Sequence, residues 1–560
     1  MAKKTTKKKA PRQQKATAAA PKARAPEEDL PEKAAAKKMN PRAARGRADA
    51  QSMAQRQREI SVSEFFSRNR HLLGFDNPRR ALLTGVKEAV DNSLDACEEA
   101  GILPELTVEI EPRGEDRFAM RVTDNGPGIV KGQIPNIFGK LLYGSKFHRL
   151  RMSRGQQGIG ISAASMYGQL TTGKATRIVS RTGARRAAHQ FEITINTARN
   201  KPEVVRDTEV EWELPQGTQV EIEMEARYLR GRQSVDEYLR QTALTNPHLT
   251  LVYRAPDGEE TRWERSTGEM PAETIEVKPH PHGVELGALM KMMQDTKSRT
   301  VQAFLTAEFS RVSARVAKEI CERADLSPKA RPRSTARDDS DRLYRAINNT
   351  KLMKPPTNCI VPIGEELLQE SLRQNVEADF FTSTTRPPSV YRGNPFQIEV
   401  AMAYGGQIEP EGTIQLLRYA NRVPLLYQQA ACAITRSVLD VDWRNYRMSQ
   451  SGGALPTGPL VVLVHMASVW VPFTSESKEA VAHYPEIVRE IRLGLQECGR
   501  RVGEHLGRER RAAEAARKRD YIQQYIGHIA DALQEITGDG DRRRASVQKA
   551  LQQVLERSRS

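Results

Sequence analysis

Glu88, Asn92 and Asp95 fall at i, i+4 and i+7 of Glu88-Ala89-Val90-Asp91-Asn92-Ser93-Leu94-Asp95-Ala96. That spacing puts all three on one face of a helix. Val86, Ala89, Val90, Leu94 and Ala96 are left to pack into a core. A helix that aims a carboxylate and a carboxamide at one point suits metal-assisted hydrolysis. The carboxylate can take a proton from water, and the amide oxygen can ligate a hard cation. Alone, the stretch reads equally well as a solvated acidic face.

Three downstream segments narrow the choice. Phe118, Met120 and Val122 alternate with polar neighbours as a half-buried strand does, and the strand ends in Asp124-Asn125-Gly126-Pro127-Gly128-Ile129. A carboxylate presented there can accept from an exocyclic amine such as adenine N6, while glycines such as Gly128 admit a flat ring. Next comes Gly155-Gln156-Gln157-Gly158-Ile159-Gly160, running into Ile161-Ser162-Ala163-Ala164. Glycines that open a helix let backbone N–H groups approach anionic oxygens, and the helix dipole favours that charge. Last is Gly217-Thr218, at a turn before the alternating Val220, Ile222 and Met224. Gly168-Gln169-Leu170-Thr171-Thr172-Gly173-Lys174 spells most of a P-loop, but Ala175 stands where Ser or Thr should ligate magnesium. It also leads into a strand-like run, so it is read as a connecting loop.

Taken in order, these segments resemble the Bergerat (GHKL) ATP-binding fold of gyrase, heat-shock chaperones, histidine kinases and mismatch-repair ATPases. The resemblance implies that Glu88 is the general base and Asn92 the magnesium ligand. It implies that Asp124, helped by Thr218, binds adenine, with Gly128 beside it. Gly155, Gln156, Gln157, Gly158, Ile159 and Gly160 would form a lid over the phosphates.

The net charge of +17 is unevenly spread over the 560 residues. Residues 1–58 hold 17 Lys/Arg against 5 Asp/Glu and so carry +12 of it. This segment is rich in Lys, Ala, Pro and Gln, reads as a basic disordered tail, and suits phosphate-backbone contact weakened by salt. No apolar run is long enough to span a bilayer, and the N-terminus has no apolar signal region, so a soluble, cytoplasmic protein is expected. Cys97, Cys321, Cys359, Cys432 and Cys498 show no Cys-x-x-Cys pairing, which argues against structural zinc and a disulfide framework.

The patterning predicts an α+β, multidomain chain. An ATPase domain covers residues 59–230, opening with a Ser61-capped helix at Val62–Arg70. A helix at Tyr228–Pro247 follows, and strands continue to about residue 283. Pro279-His280-Pro281-His282-Gly283 marks a boundary. Residues 284–375 read as short helices with basic outer positions: Lys291, Lys297, Arg299, Arg311, Arg315 and Lys318. DNA contact is one reading of them and solvated charge the other. Strand signals return at 376–485: Phe396–Val400, Thr413–Tyr419 and Leu460–Met466, with a helix near Ala430–Leu439 between the last two. Residues 486–560 are expected to hold the C-terminal helix and a tail facing a partner: 484–535 read as a long helix or helix pair with Ile487, Ile491, Leu495, Val502 and Leu506 as its apolar stripe, and a charged stalk at Arg508–Arg519. Tyr521, Tyr525, Ile529 and Leu533 restore an apolar face for a partner or for core packing.

With these elements placed, the chain closely resembles the B subunits of type IIB DNA topoisomerases, topoisomerase VI, from about residue 60 to 535. Asn77-Pro78-Arg79-Arg80-Ala81-Leu82, the Glu88 helix, Gly144-Ser145-Lys146-Phe147-His148-Arg149 and Ser153-Arg154-Gly155-Gln156-Gln157-Gly158 carry the likeness. So do Tyr419-Ala420-Asn421-Arg422-Val423-Pro424 and Val471-Pro472-Phe473-Thr474-Ser475-Glu476-Ser477-Lys478. The resemblance implies a Bergerat ATPase sandwich, a helix-two-turn-helix insert and an α/β transducer ending in a long helix. It gives Lys478, on a loop after a Val469–Val471 strand, the role of reaching the ATP γ-phosphate, and brings Lys146 near the nucleotide. ATP with Mg²⁺ would close two B subunits around one DNA duplex. A separate A subunit, in an A2B2 heterotetramer, would cut a second duplex, relaxing and decatenating nucleoid DNA. The alternative is an ATP-gated clamp of the mismatch-repair or a specialised topoisomerase-like type. A histidine kinase is disfavoured, because the first histidine, His71, lies beside the start of the ATPase domain.

Overall fold

The computed structural model describes residues 53–54, 59–144, 150–155, 158–538 and 540–557. Lys146, Gln156, Gln157 and nearly all of the basic 1–58 segment lie outside the described residues. The chain divides into Met1–Glu59 and Ile60–Ser560, and the elements from Val62 onward belong to the second unit.

Helix α1 (Val62–Arg68) begins at Ser61, whose side chain accepts from the Glu64 amide. Helix α2 (Pro78–Glu99) begins at Asn77, which accepts from the Arg80 amide, and has Pro in its first turn, both common ways to start a helix. The strands β1 (Glu105–Gly114) and β2 (Arg117–Asp124) come next as a hairpin, then short helix α3 (Ile134–Gly139) and helix α4 (Gly160–Thr172). β3 (Thr176–Arg181), β4 (Ala188–Asn196), β5 (Lys201–Val210) and β6 (Gly217–Glu225) precede α5 (Val235–Thr245), β7 (Thr250–Arg254) and β8 (Glu260–Trp263). The eight strands form one sheet in the order β5-β4-β3-β6-β2-β1-β7-β8. Only β1 and β7 pair in parallel. Helices α2, α4 and α5 cover it, and Val86, Val90, Leu94, Met120, Ile222 and Leu239 are buried in one continuous core. The near-P-loop stretch is the last turns of α4 and its left-handed Gly173 cap.

Four helices form a separate small core: α6 (Leu286–Asp295), α7 (Val301–Glu308), α8 (Ala314–Arg323) and α9 (Arg337–Asn348). Lys291, Lys297, Arg299, Arg311, Arg315 and Lys318 all lie exposed on it. His280 and His282, before α6, hydrogen-bond backbone carbonyls of Met353, Ile347 and Thr350 and so hold a turn.

The third region holds α10 (Glu365–Asn375), β9 (Phe380–Thr385), β10 (Ser389–Tyr391), β11 (Asn394–Tyr404), β12 (Gln415–Ala420), β13 (Val423–Pro424), α11 (Ala433–Asp440) and β14 (Leu460–Ser468). Its six-stranded sheet runs β10-β11-β14-β12-β13, with β9 on β11. All of β14 is buried, as its unbroken apolar run requires when both sheet faces are covered. Val469–Val471, expected as a strand, is not one. Ser468 Oγ donates to Trp470 O and accepts from Trp470 N, folding the chain into a turn.

Helix α12 (Pro485–Thr537) is a single 53-residue helix that stops at left-handed Gly538. Ile487, Ile491, Leu495 and Val502 bury its first half, whereas Tyr521, Tyr525, Ile529 and Leu533 stay exposed. Helix α13 (Asp541–Arg557), not among the expected elements, comes after it. Among the described residues, no helix is long and apolar enough to cross a membrane.

Candidate functional site

A cavity of about 650 Å³ opens between α2, the end of β2, the start of α4 and two loops of the third region. That volume suits a nucleotide-sized ligand. Glu88, Asn92, Asp124, Gly128, Gly155, Gly158, Ile159, Gly160, Thr218 and Lys478 all line it. Lys146, Gln156 and Gln157 fall outside the described residues.

Helix α2 brings Glu88 and Asn92 to the cavity because its opposite face is apolar and buried. The Glu88 carboxylate lies against the first residue of α4: a Cβ built on Gly160 would sit 1.6 Å from Glu88 Oε2. Only glycine fits there. Ile159, the residue before α4, makes no side-chain cap, and the N-terminus and dipole of such a helix favour negative charge beside it. A carboxylate held at this point can take a proton from a water lying in the cavity.

Asp124 ends β2 and is 5% exposed. It accepts from Ser93 Oγ at 2.8 Å, the Gly126 amide at 2.9 Å and the Thr218 amide at 3.1 Å. Burial raises its pKa, and those three donors oppose the rise. They occupy three of about four lone-pair sites, leaving room for one more donor such as an exocyclic amine. Gly217 has φ +135°, and a Cβ there would lie 2.0 Å from Asp124 O, so the turn that delivers Thr218 tolerates no side chain. At Gly128, φ is +70° and a Cβ would meet Arg181 O at 2.1 Å.

Asp95, the third residue of the α2 face, does not line the cavity. It is buried and accepts from the amides of Arg154 at 3.3 Å and Gly155 at 3.2 Å, anchoring the root of the glycine-rich segment. The Arg154 guanidinium is buried among Asp95, Glu98 and Asn246. Burial alone would raise the Glu98 pKa, but Arg154 and His248 hold it well below the usual carboxylate range. Burial lowers the His248 pKa, so the neutral ring donates to Glu98.

The third region closes the mouth of the cavity with Pro424–Tyr427 and Glu476–Glu479. Lys478 has φ +52°, and its Nζ donates to Arg154 O at 3.2 Å. Arg80 of α2 joins Asp76 and Glu479 and stacks over the Tyr427 ring. Sequence reasoning missed Asp91, Ser93, Arg154, Tyr238 and Tyr427. Asp91 is buried, accepts from Tyr238 Oη at 3.0 Å, and has its pKa raised to about 6 by burial, with Lys87 opposing and Glu88 adding. Asp91 and Ser93 stand inside the Glu88 motif, but their partners Tyr238 and Asp124 come from other elements.

The comparisons agree with this layout. Residues 77–227 match the histidine kinase-, DNA gyrase B-, and HSP90-like ATPase family, and residues 355–518 match the transducer of the topoisomerase VI B subunit. The chain is 49% identical over 485 residues to the type 2 DNA topoisomerase 6 B subunit of Methanococcoides burtonii, covering 86% of this chain and 78% of that one. It is 49% identical over 485 residues to the same protein of Archaeoglobus fulgidus, covering 86% and 80%. Against that of Methanosarcina barkeri it is 47% identical over 482 residues, covering 86% and 78%. Two domain matches in the right order and near-half identity over most of both chains place this chain in the topoisomerase VI B subunit family, the ATP-binding ATPase subunits of type IIB DNA topoisomerases.

Proposed function

We propose that the cavity between α2, α4 and the transducer loops binds ATP, and that hydrolysis there drives a DNA gate. Glu88 is the general base that takes a proton from the attacking water. Asp124 and Thr218 hold the adenine amine, and Gly128 leaves space for the ring. Gly155, Gly158, Ile159 and Gly160 cover the phosphates, and the family likeness adds Gln156, Gln157 and Lys146 to the nucleotide-binding set. Lys478 stabilises charge developing at the γ-phosphoryl group.

Among the described residues, no cluster of three or more His, Cys, Asp or Glu could hold a metal ion. A single carboxamide oxygen on Asn92 fits Mg²⁺, which keeps waters and phosphate oxygens as its other ligands. When bound, Mg²⁺ neutralises phosphate charge.

In this reading the ATPase domain covers 59–230, the helix-two-turn-helix insert starts at 284, and the C-terminal helices run from 486. Helix α10, counted with the insert in the 284–375 boundary, goes with the transducer, because Leu368 and Leu372 pack on the third-region sheet. ATP brings two copies together around one duplex. An A subunit, in an A2B2 assembly, cuts a second duplex, so that the complex relaxes supercoils and separates linked circles of nucleoid DNA in the cytoplasm. The exposed basic side chains of the insert meet the DNA backbone, and the apolar end of α12 faces the A subunit.

The observation that carries this reading is that Glu88 and Lys478, from two domains, line one cavity. The test is Glu88→Ala. It should still bind a non-hydrolysable ATP analogue and dimerise, yet hydrolyse ATP about a hundredfold or more slowly. Normal turnover would remove Glu88 from the role. With an A subunit, ATP and catenated circles, the parent chain should release free circles and the variant should not.

A further inference from the structure

The root of the glycine-rich segment is gripped from two sides. Asp95 takes its amides, and two transducer side chains take successive carbonyls. Ser153 O accepts from Asn421 Nδ2 at 3.0 Å, and Arg154 O accepts from Lys478 Nζ at 3.2 Å.

The two donors are anchored very differently. Lys478 reaches its carbonyl on a flexible four-carbon stem. Asn421 is locked in place. Its Oδ1 accepts from Ser468 N at 2.9 Å, its Nδ2 donates to Ser468 O at 2.9 Å, and its own amide donates to Met466 O at 2.9 Å. Ser468 is the last residue of β14, the strand that runs directly into the loop carrying Lys478. One carboxamide therefore joins the lid root to the base of the lysine loop.

The backbone around it is built to the same end. Asn421 and Arg422 form the two-residue turn between β12 and β13, with φ +47° and +66°. Such a turn favours Asn first and Gly second, so Arg422 occupies a strained position. Its amide donates to His465 Nε2 at 2.9 Å, and its carbonyl accepts from Thr245 Oγ1 of α5 at 2.8 Å. His465 Nδ1 in turn donates to fully buried Glu399 at 2.7 Å. The turn is thus fastened to the transducer core and to the ATPase domain at once.

We propose that Asn421 is a positioning residue whose carboxamide is the fixed pivot between the lid root and β14, setting where Lys478 is presented to the nucleotide. The inference rests on the proposed roles of Lys478 and the lid. The pivot holds while Lys478 exchanges a carbonyl for a phosphate oxygen, so lid and transducer stay in register as the lysine moves.

The test uses the full chain and four variants: Asn421→Gly, Asn421→Asp, Lys478→Ala and Asn421→Gly with Lys478→Ala. Glycine keeps the left-handed backbone and deletes the carboxamide. Aspartate keeps the shape but replaces the donor that faces two carbonyls, and it decides the matter if the glycine variant melts at a lower temperature. Steady-state ATP hydrolysis and affinity for a non-hydrolysable analogue are measured for each. Both Asn421 variants should lower kcat about tenfold with KM and analogue affinity within about threefold, since small misplacements remote from the chemistry slow it steeply. The double variant should be no slower than Lys478→Ala, because residues acting through one another are non-additive. An unchanged kcat, losses that multiply in the double variant, or a KM that rises as kcat falls would overturn the pivot. Wild-type hydrolysis by Lys478→Ala would sink the lysine's role and the pivot together. A slow Lys478→Ala beside a normal Asn421→Gly would sink the pivot alone.

Discussion

Gly160→Ala isolates the position of the Glu88 carboxylate. A methyl group on Gly160 would lie 1.6 Å from Glu88 Oε2, 2.2 Å from Cδ and 2.7 Å from Cγ. Ordinary contact needs about 3.5 Å, so the carboxylate must retreat by roughly 2 Å. It has room to do so, because it faces a cavity of about 650 Å³. The fold should therefore survive, and alanine in place of glycine restricts the unfolded chain, which favours folding by about 0.4–1 kcal/mol where the backbone is compatible. Hydrolysis should not survive. A misplacement of about 1 Å can slow chemistry about a hundredfold, and a lost general base slows it by about 10²–10⁴. We expect kcat to fall by about 10²–10³ with an unchanged or slightly higher melting temperature. Analogue affinity should change by only a few fold. In a Glu88→Ala background the same substitution should add nothing. A kcat within threefold of the parent, or a further drop in the Glu88→Ala background, would refute the reasoning.

Asp91→Asn tests the buried carboxyl whose pKa is raised from 3.8 to about 6. Such a group stabilises the fold fully below pH 3.8, and the contribution is lost as pH rises through 6; at 1.36 kcal/mol per pH unit it amounts to about 3 kcal/mol. Asparagine keeps the acceptor for Tyr238, so urea unfolding should show the variant gaining about 2.4 kcal/mol on the parent between pH 4 and pH 7.5, where part of the linkage is already spent at the lower end. A difference that does not vary with pH would show that Asp91 is not so perturbed. Asp124→Ala should weaken analogue binding at least tenfold more than Lys478→Ala does, while Lys478→Ala mainly slows turnover; calorimetry showing equal losses of affinity would erase that division. Removing residues 1–58 takes away +12 of charge, so DNA binding should weaken mainly at low salt, with a shallower salt dependence. An unaltered slope in a titration series would mean the segment makes no phosphate contacts.

The cavity was legible in the sequence where its residues sit on regular elements. Glu88 and Asn92 follow helical spacing, and Asp124 follows strand alternation into a glycine turn, so local chemistry placed them before any tertiary structure was known. Asp95 shows the limit of that logic. It shares their face by spacing, yet the long helix carries it beyond the cavity to the Arg154 root, and only tertiary packing reveals the difference. Lys478 carried no local signal and was reached through family resemblance. Asn421 stood in a quoted motif, but its partners Ser153 and Ser468 come from distant segments. The Val469–Val471 strand failed because a serine hydroxyl competed for the backbone. Helix α13 was legible but not read: Val547, Ala550, Leu551, Val554 and Leu555 fall at i, i+3, i+4, i+7 and i+8, an apolar stripe set among charged neighbours.

The unbroken length of α12 has a mechanical consequence. Its first half is clamped to the transducer sheet by Ile487, Ile491, Leu495 and Val502, and Gly494 and Gly499 seat closely on Val400 and Tyr446. The stretch from Arg508 to Thr537 projects on the order of 45 Å at 1.5 Å per residue. A five-degree tilt at the clamp would swing the far tip by roughly 4 Å over that projection. A rigid rod of this kind turns a small rocking of the sheet into a displacement the size of a side chain, delivered far from the nucleotide.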